Sequence, residues 1–558
     1  MKKRIISILN KTVQRAAQEG ALKSPPEGGF VVEVPSSSDH GHFATNLCLT
    51  LAKSQKQPPM KIASVLLPIL KECPLFERVE AAPPGFINFF VKRDEWMPIV
   101  TQILEEGASY GKSDFGEGKS VLVEFVSANP TGPLHLGHGR GAALGDTLCR
   151  ILELAGFNVG REFYINDAGR QIRLLGESVF ARWQQIENPD YPFPAGGYHG
   201  EYIAELARMI SAETDLASLS DEEAIEVCAS LGKDIMLDDI KRSLNIFRVD
   251  FDVWYSETSL HESGRFAKSL SSGAIAEKIY EKDGALWIAT SEHGDDKDRV
   301  IRKQDGSYTY FASDISYHRD KWERGFSRAI DIWGADHHGY IPRVQAALET
   351  MGVPKGWLSV MLIQLVKLWQ AGAEVKMSKR AGTYVTLQEL MDEVGVDAAR
   401  FVFLTKHNDS PLDVDVDLIK KQESDNPVFY VQYAHARASS ILRKAQEESV
   451  FNGIEDEKLL KNYLKLEEEI ALIRMMGDFP SLVEEMAKSL EPHRLTYYLQ
   501  DLAAMFHRYF NLGTKNPELR VITEDASVSR ARLFLVKAIR TVVANGLSLL
   551  AITAPEQM

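Results

Sequence analysis

The segment VLVEFVSANPTGPLHLGHGRGAALGDTLCRILEL, Val121–Leu154, decides the fold. Its opening, Val121–Val126, is an apolar run without strict alternation, the pattern of a strand buried on both faces of a parallel sheet. A loop with two prolines follows. From about Gly141 to Leu154 apolar residues recur at helical spacing. FNVGREFYIND, Phe157–Asp167, reads as the next strand and its exit. Strand, loop, helix and strand in that order begin a βαβ unit.

Downstream, residues 175–282 carry mostly helical patterns and read as an insertion between halves of an α/β domain. Strand-like segments return at ALWIAT (Ala285–Thr290), SYTYFASD (Ser307–Asp314) and AIDIWGADH (Ala329–His337). WLSVMLIQLVKLW, Trp357–Trp369, supplies one more. Beyond about Pro411 strand signals nearly vanish and long helical patterns run on, as in a bundle. Upstream, Ile5, Ile6, Leu9 and Val13 share a helical face that Gly20 stops. Helical patterns at Ala44–Ser54 and Met60–Leu70, with strand-like FVVEV and GFINFFV, make a mixed α+β domain. The glycine-rich stretch Gly107–Gly118 reads as a linker, and its two GKS triplets lack the upstream glycine of a phosphate loop. Three domains follow: 1–112, 113–410 and 411–558.

Of 558 residues 44% are hydrophobic, which excludes global disorder. The formal charge is −14, from 64 Lys and Arg against 78 Asp and Glu, so a nucleic-acid partner must meet a local basic face. Cys48, Cys73, Cys149 and Cys228 are widely spaced, without a CxxC pair or a dense disulfide framework. A reducing, cytoplasmic setting is the plain reading. The first twenty residues lack the continuous apolar core of a signal peptide, and no run of 18 apolar residues occurs, so no membrane association is expected.

Two motifs carry chemistry. In NPTGPLHLGHGR, Asn129–Arg140, His135 and His138 bracket Gly137 between the strand and the helix. Backbone N–H groups at a helix start meet phosphate, and glycine allows close approach. Imidazoles there donate to phosphate oxygens without permanent charge. The alternative is a turn with two surface histidines. In KMSKR, Lys376–Arg380, an apolar Met377 and Ser378 sit between lysines. Met377 can seat the loop while the ammonium of Lys379 follows charge onto a leaving pyrophosphate. The alternative is a solvated basic loop.

These motifs resemble the HIGH and KMSK signatures of class I aminoacyl-tRNA synthetases, with Leu136 in place of the isoleucine. The flanking words are closer still to arginyl-tRNA synthetases: EFVSANPTGPLHLGHGRGAALGDTL, REFYINDAGRQI, FDVWYSETSL, IWGADHHGY, YVQYAHARASSILRKA and the closing APEQM. The resemblance spans nearly the whole chain. It implies an α/β Rossmann-like catalytic domain with a helical insertion, an α+β N-terminal domain that contacts tRNA, and an all-helical C-terminal anticodon-binding domain. It further implies the ligation of L-arginine to tRNA(Arg) with ATP and Mg2+, activation that needs bound tRNA, and a monomer; no DNA partner and no protein-bound zinc are expected. Asp336, His337 and His338 raise the thought of zinc, but adjacent residues seldom converge on one metal.

An arginine pocket needs a carboxylate for the guanidinium and gains from an aromatic ring. Tyr310 and Asp314 stand four residues apart, on one face if helical, and resemblance makes them the side-chain readers. The alternative is an exposed i,i+4 pair. Asn129, with Ser127 beside it, resembles the contact to the α-amino group; the alternative is a turn asparagine before proline. Tyr164, Asn166 and Asp167 are expected to line the same crevice, or else to form a helix N-cap cluster. His135, Gly137, His138, Gly334, Asp336, His338, Met377, Ser378 and Lys379 are expected around ATP, with His135, His138, Lys376 and Lys379 catalytic. For tRNA the resemblance nominates Asn46 and Asn88 in the N-terminal domain, and Tyr433, His435, Arg437, Arg443, Lys444, Arg532 and Arg540 in the helical one. Phe506 and Tyr509 read as helix-packing core. Three rivals remain at this level: another class I synthetase, an inactive tRNA-binding paralogue, and a nucleotidyltransferase of the same superfamily.

Overall fold

The structure is a computed structural model that describes residues 1–23, 29–167, 169–271, 273–375, 385–448 and 457–558. The chain forms two compact units. One comprises Met1–Tyr110, Ala438–Phe479 and Ala504–Val542. The other comprises Gly111–Arg437, Pro480–Ala503 and Val543–Met558.

The second unit is built on a five-stranded parallel sheet. In chain order its strands are β1 (Ser120–Glu124), β2 (Asn158–Ile165), β3 (Val253–Ser256), β4 (Arg328–Gly334) and β5 (Leu358–Ile363). Their spatial order is β5-β4-β1-β2-β3. The order reverses at β1, so the ligand crevice of such a sheet opens between the carboxyl ends of β1 and β4. Val121, Leu122 and Val123 are all buried, which is why β1 shows no alternation.

Helix α1 (Leu136–Leu154) links β1 to β2 and starts five residues before the apolar pattern indicates. Its first turn is set by a histidine cap rather than by apolar periodicity. Gly145 on α1 lets the helix settle on the residue after β1, since a Cβ there would lie 2.2 Å from Phe125 Cγ. The insertion contains α2 (Arg170–Glu187), α3 (Glu201–Glu213) and α4 (Asp221–Ile246), which bury Leu175, Val179, Ile203, Leu206 and Cys228 among themselves. Past β3, a three-stranded antiparallel sheet spans residues 279–302.

Two segments depart from the sequence reading. SYTYFASD is not a strand: Thr309 caps helix α5 (Tyr310–Glu323) by accepting from Ala312 N. A local cap thus overrides the β propensity of its aromatics. WLSVMLIQLVKLW holds two strands, β5 and Val366–Gln370, the latter pairing with Leu412–Asp415 in a separate sheet.

Residues near the C-terminus are tied into this unit. Arg400, fully buried, donates to Asp146 Oδ2 (2.6 Å), Phe247 O (2.7 Å) and Leu550 O (2.7 Å). Arg248 donates to Ala551 O (2.7 Å), and His435 Nδ1 lies 2.7 Å from Pro555 O.

The first unit has an antiparallel sheet in the order Val32–Glu33, Phe43–Thr45, Phe86–Val91, Phe76–Ala82. Helices Lys2–Gln18, Leu47–Gln55 and Pro59–Lys71 accompany it. It also takes the parts of four long helices, Pro427–Glu447, Glu467–Ser489, Arg494–Lys515 and Ala526–Leu549, that fall within residues 438–479 and 504–542, and their other residues belong to the second unit. Among the described residues no helix is long and apolar enough to cross a membrane.

Gly145→Ala tests the α1 contact with Phe125. Alanine normally favours a helix by about 0.5–1 kcal/mol, but overpacking here costs roughly 1–3 kcal/mol. A lower urea midpoint is expected, and a raised one would refute the contact.

Candidate active site

His135 is the N-cap of α1. Its Nδ1 accepts from Gly137 N (3.1 Å) and His138 N (3.4 Å), while His138 Nδ1 accepts from His135 N (3.3 Å). The rings stack with centroids 3.6 Å apart. An imidazole that accepts at Nδ1 carries its proton on Nε2 when neutral. The caps therefore leave each ring with an Nε2–H donor at the positive end of a helix, the arrangement a phosphate needs. Gly137 leaves room for the stack, since a Cβ would lie 3.0 Å from His135 Cε1 and press on that ring.

Lys376, Met377, Ser378 and Lys379 lie outside the described residues. The chain just beyond them is fastened to the histidine motif: Thr386 bridges His135, and Leu387 N donates to Leu134 O (2.8 Å).

On the opposite side of the switch point, β4 ends at Gly334 and a short helix, Ala335–Tyr340, exposes Asp336 and His338. Tyr340 turns back and donates to Asp314 Oδ2 on α5. Burial pushes the Asp314 carboxyl above its ordinary range, and the Tyr340 hydroxyl pulls it partway back. Tyr310, one turn earlier on α5, is 73% exposed.

A second carboxylate faces Asp314. Glu257, at the start of the helix Glu257–Glu262, is buried and hydrogen-bonded by the Tyr164 hydroxyl and Ser313. Burial raises its carboxyl, and the charge of Asp314 raises it further. Two carboxylates whose charges raise one another's pKa favour a cation placed between them. Sequence reading missed Glu257: it sits inside the quoted FDVWYSETSL, but no local pattern marks it.

The remaining expected pocket residues divide. Ser127 Oγ donates to Glu124 Oε1 (2.8 Å) and accepts from Tyr164 N (3.1 Å). Tyr164 packs on Tyr317 (centroids 4.4 Å) and reaches Glu257 through its hydroxyl. Asn129 Nδ2 donates to Gln171 Oε1 (2.7 Å), and Asn166 is half-buried beside them in sequence. Asp167 is engaged within the chain. Its oxygens accept from Ser256 Oγ (2.6 Å), Thr258 N and Thr258 Oγ1 (both 3.0 Å), so it clamps the segment that carries Glu257. It acts as a cap, but on a distant helix.

Among the tRNA candidates, Arg532 is corrected: it is buried and donates to Glu469 Oε1 (3.0 Å), Glu518 O (2.8 Å) and Arg520 O (2.7 Å), an internal strut. Asn88 is buried within its strand, with Ala44 and Glu80 as register partners, and presents little surface. Asn46 Oδ1 accepts from Val31 N (2.9 Å), a local tie. His435 is buried on Pro555 O. Tyr433 stays partly exposed with the Arg437 guanidinium 4.5 Å from its ring centroid, and Arg443 is half-buried. Phe506 and Tyr509 are buried, as helix packing requires.

A parallel sheet with a histidine-capped helix at its switch point fits a class I aminoacyl-tRNA synthetase. Family comparison bears this out: the description "tRNA synthetases class I (R), catalytic domain" matches residues 99–191 and 216–421. "Arginyl tRNA synthetase N terminal domain" matches residues 3–91, and "DALR anticodon binding domain" matches residues 431–558. The chain is 47% identical to the arginine–tRNA ligase of Desulfosudis oleivorans, covering all of both chains. It is 46% identical to that of Geobacillus kaustophilus, over 99% of this chain and 98% of the relative. The solved Thermus thermophilus arginyl-tRNA synthetase superposes with a TM-score of 0.76 at 25% identity, covering 99% of each chain. The chain belongs to the arginyl-tRNA synthetases and is an arginine–tRNA ligase.

Tyr340→Phe removes the donor that pulls the Asp314 carboxyl down. The Asp314 carboxyl then rises further, so the acidic limb of the arginine-dependent rate should move to higher pH. An unmoved limb would show that this hydroxyl does not govern Asp314.

Proposed function

We propose that the crevice between β1 and β4 is where arginine is activated, with Asp314 and Glu257 sharing its guanidinium and Tyr310 covering the planar group. The observation that carries this reading is the paired burial of those two carboxylates, which a guanidinium with five donors satisfies better than any other natural side chain. Ser127 and Asn129 face the α-amino end.

The arginine carboxylate attacks the α-phosphorus of ATP in line, forming the mixed anhydride, and the bond to the β-phosphate breaks to release pyrophosphate. An ionised carboxylate needs no general base. The Nε2–H groups of His135 and His138 stabilise charge on phosphate oxygens. Lys379, with Lys376 beside it on the loop, follows the charge onto pyrophosphate, while Met377 and Ser378 seat that loop. Gly334, Asp336 and His338 attend the nucleoside. ATP enters as its Mg2+ complex. The 2′-hydroxyl of the tRNA 3′-terminal adenosine then attacks the aminoacyl carbonyl, and AMP leaves.

In this reading activation waits for bound tRNA, and tRNA meets Tyr433, Arg437 and Arg443 on the helical domain. The enzyme works as a cytoplasmic monomer with no DNA or membrane partner and no zinc of its own. Widely spaced cysteines and the expected one-chain site support that setting.

Arginine-dependent ATP–pyrophosphate exchange, with and without bulk bacterial tRNA, tests the order. Exchange is expected with arginine alone among the amino acids and only when tRNA is present; exchange without tRNA would overturn the order. Asp314→Asn leaves a buried guanidinium short of a charge, so kcat/KM for arginine should fall by roughly two to three orders of magnitude. Equal kinetics would show that the pocket lies elsewhere.

A further inference from the structure

Beneath the crevice lies a buried charged group that the reaction does not use. Lys321, on α5, has no exposed surface. Its Nζ donates to Glu124 Oε2 on β1 and to Asp331 Oδ1 (2.9 Å) and Oδ2 (3.1 Å) on β4. Asp331 Oδ2 also lies 2.6 Å from His318 Nε2, and His318 Nδ1 lies 2.7 Å from Asp314 O. Both nitrogens of His318 thus face acceptors.

Glu124, His318 and Asp331 have the spacing of a metal cluster, with ligand atoms within 4.8 Å of one another. The Lys321 ammonium already bonds two of the three, so the cation of this cluster is built into the chain. Burial alone would depress Lys321, but Asp331, Glu124 and Glu162 outweigh it and hold the ammonium charged.

Two hydrogen-bonded arms leave this ammonium. One runs through Glu124 to Ser127 Oγ and on to Tyr164 N. It pins a strained turn, since Val126 (φ 68°) and Ser127 (φ 38°) both take positive φ, which a β-branched residue strongly resists. The other runs through Asp331 and His318 to the peptide oxygen of Asp314. One arm passes through Ser127 and the other ends at Asp314, the residues read as the amine-facing and guanidinium-facing ends of the arginine site. The paired histidines of the nucleotide motif are on neither arm.

We propose that Lys321 is a positioning residue for arginine, fixing the distance between the two ends of its pocket through these arms. The inference rests on the assignment of Ser127 and Asp314 to that pocket. It predicts a division that general damage would not produce: arginine binding suffers, and ATP binding does not.

The experiment is aminoacylation by the full chain, varying arginine and ATP separately, for Lys321→Met, the double variant Lys321→Met/Glu124→Gln, and Asp314→Asn. Lys321→Met leaves carboxylates short of one cation and is expected to lower the thermal midpoint. Glu124→Gln removes one matching negative charge, so the double variant should regain stability while the tie between β1, α5 and β4 stays cut. The expected result is a KM for arginine raised about tenfold or more in the double variant, with the KM for ATP within about threefold of wild type. A double variant that folds with wild-type arginine KM, while Asp314→Asn is impaired, would overturn the role of Lys321 alone. Equal rises for arginine and ATP would also overturn it. Unchanged arginine kinetics in Asp314→Asn would instead remove the pocket assignment on which the inference stands.

Discussion

Burying charge is the constraint on which the catalytic unit depends. Glu124, Glu162 and Asp331 stand on three strands of one sheet, all buried. A buried carboxylate is tolerated only when paired and hydrogen-bonded. Lys321 answers Glu124 and Asp331, while Arg324 grips Glu162 with two donors (2.5 and 2.8 Å) and Tyr317 adds a third (2.6 Å). Every one of these partners comes from α5 or the residue just after it. The helix and the sheet therefore have one register in which the charges match. That register sets Asp314 on the crevice side of α5.

The nucleotide side uses a different economy. There the strong groups are dipoles and neutral rings. His135 and His138 cap the helix with one nitrogen each, which places the proton of each neutral ring on the other. The division suits the two ligands of the proposed site: a guanidinium calls for fixed negative charge, and a triphosphate whose charge moves during reaction calls for donors that need not reorganise.

Much of this was legible in the chain because the two motifs are local. The apolar run of β1, the HLGH spacing and the KMSKR phrase each lie within a dozen residues. Fold class followed from their order and from the long helical patterns beyond Pro411. What failed to show was non-local. Glu257 and Asp314 meet only because β3 and α5 deliver them from 57 residues apart. SYTYFASD reads as a strand by composition, yet one threonine cap makes it helical. Arg532 reads as a surface cation until Glu469, 63 residues away, is seen to hold it inside. Charge alone does not tell a binding arginine from a strut, because the partner that decides between them is set by tertiary packing.

The ties from Arg400, Arg248 and His435 to residues 550–555 have a consequence for biosynthesis. The first strand of the catalytic sheet is made more than 400 residues before Leu550. Until Leu550 is in place, one donor of the fully buried Arg400 has no acceptor, although Asp146 and Phe247 have long been available. The nascent chain therefore carries an incompletely satisfied catalytic unit through the synthesis of its whole helical domain. Completion of that unit requires residues 550–555 as well as its own sheet.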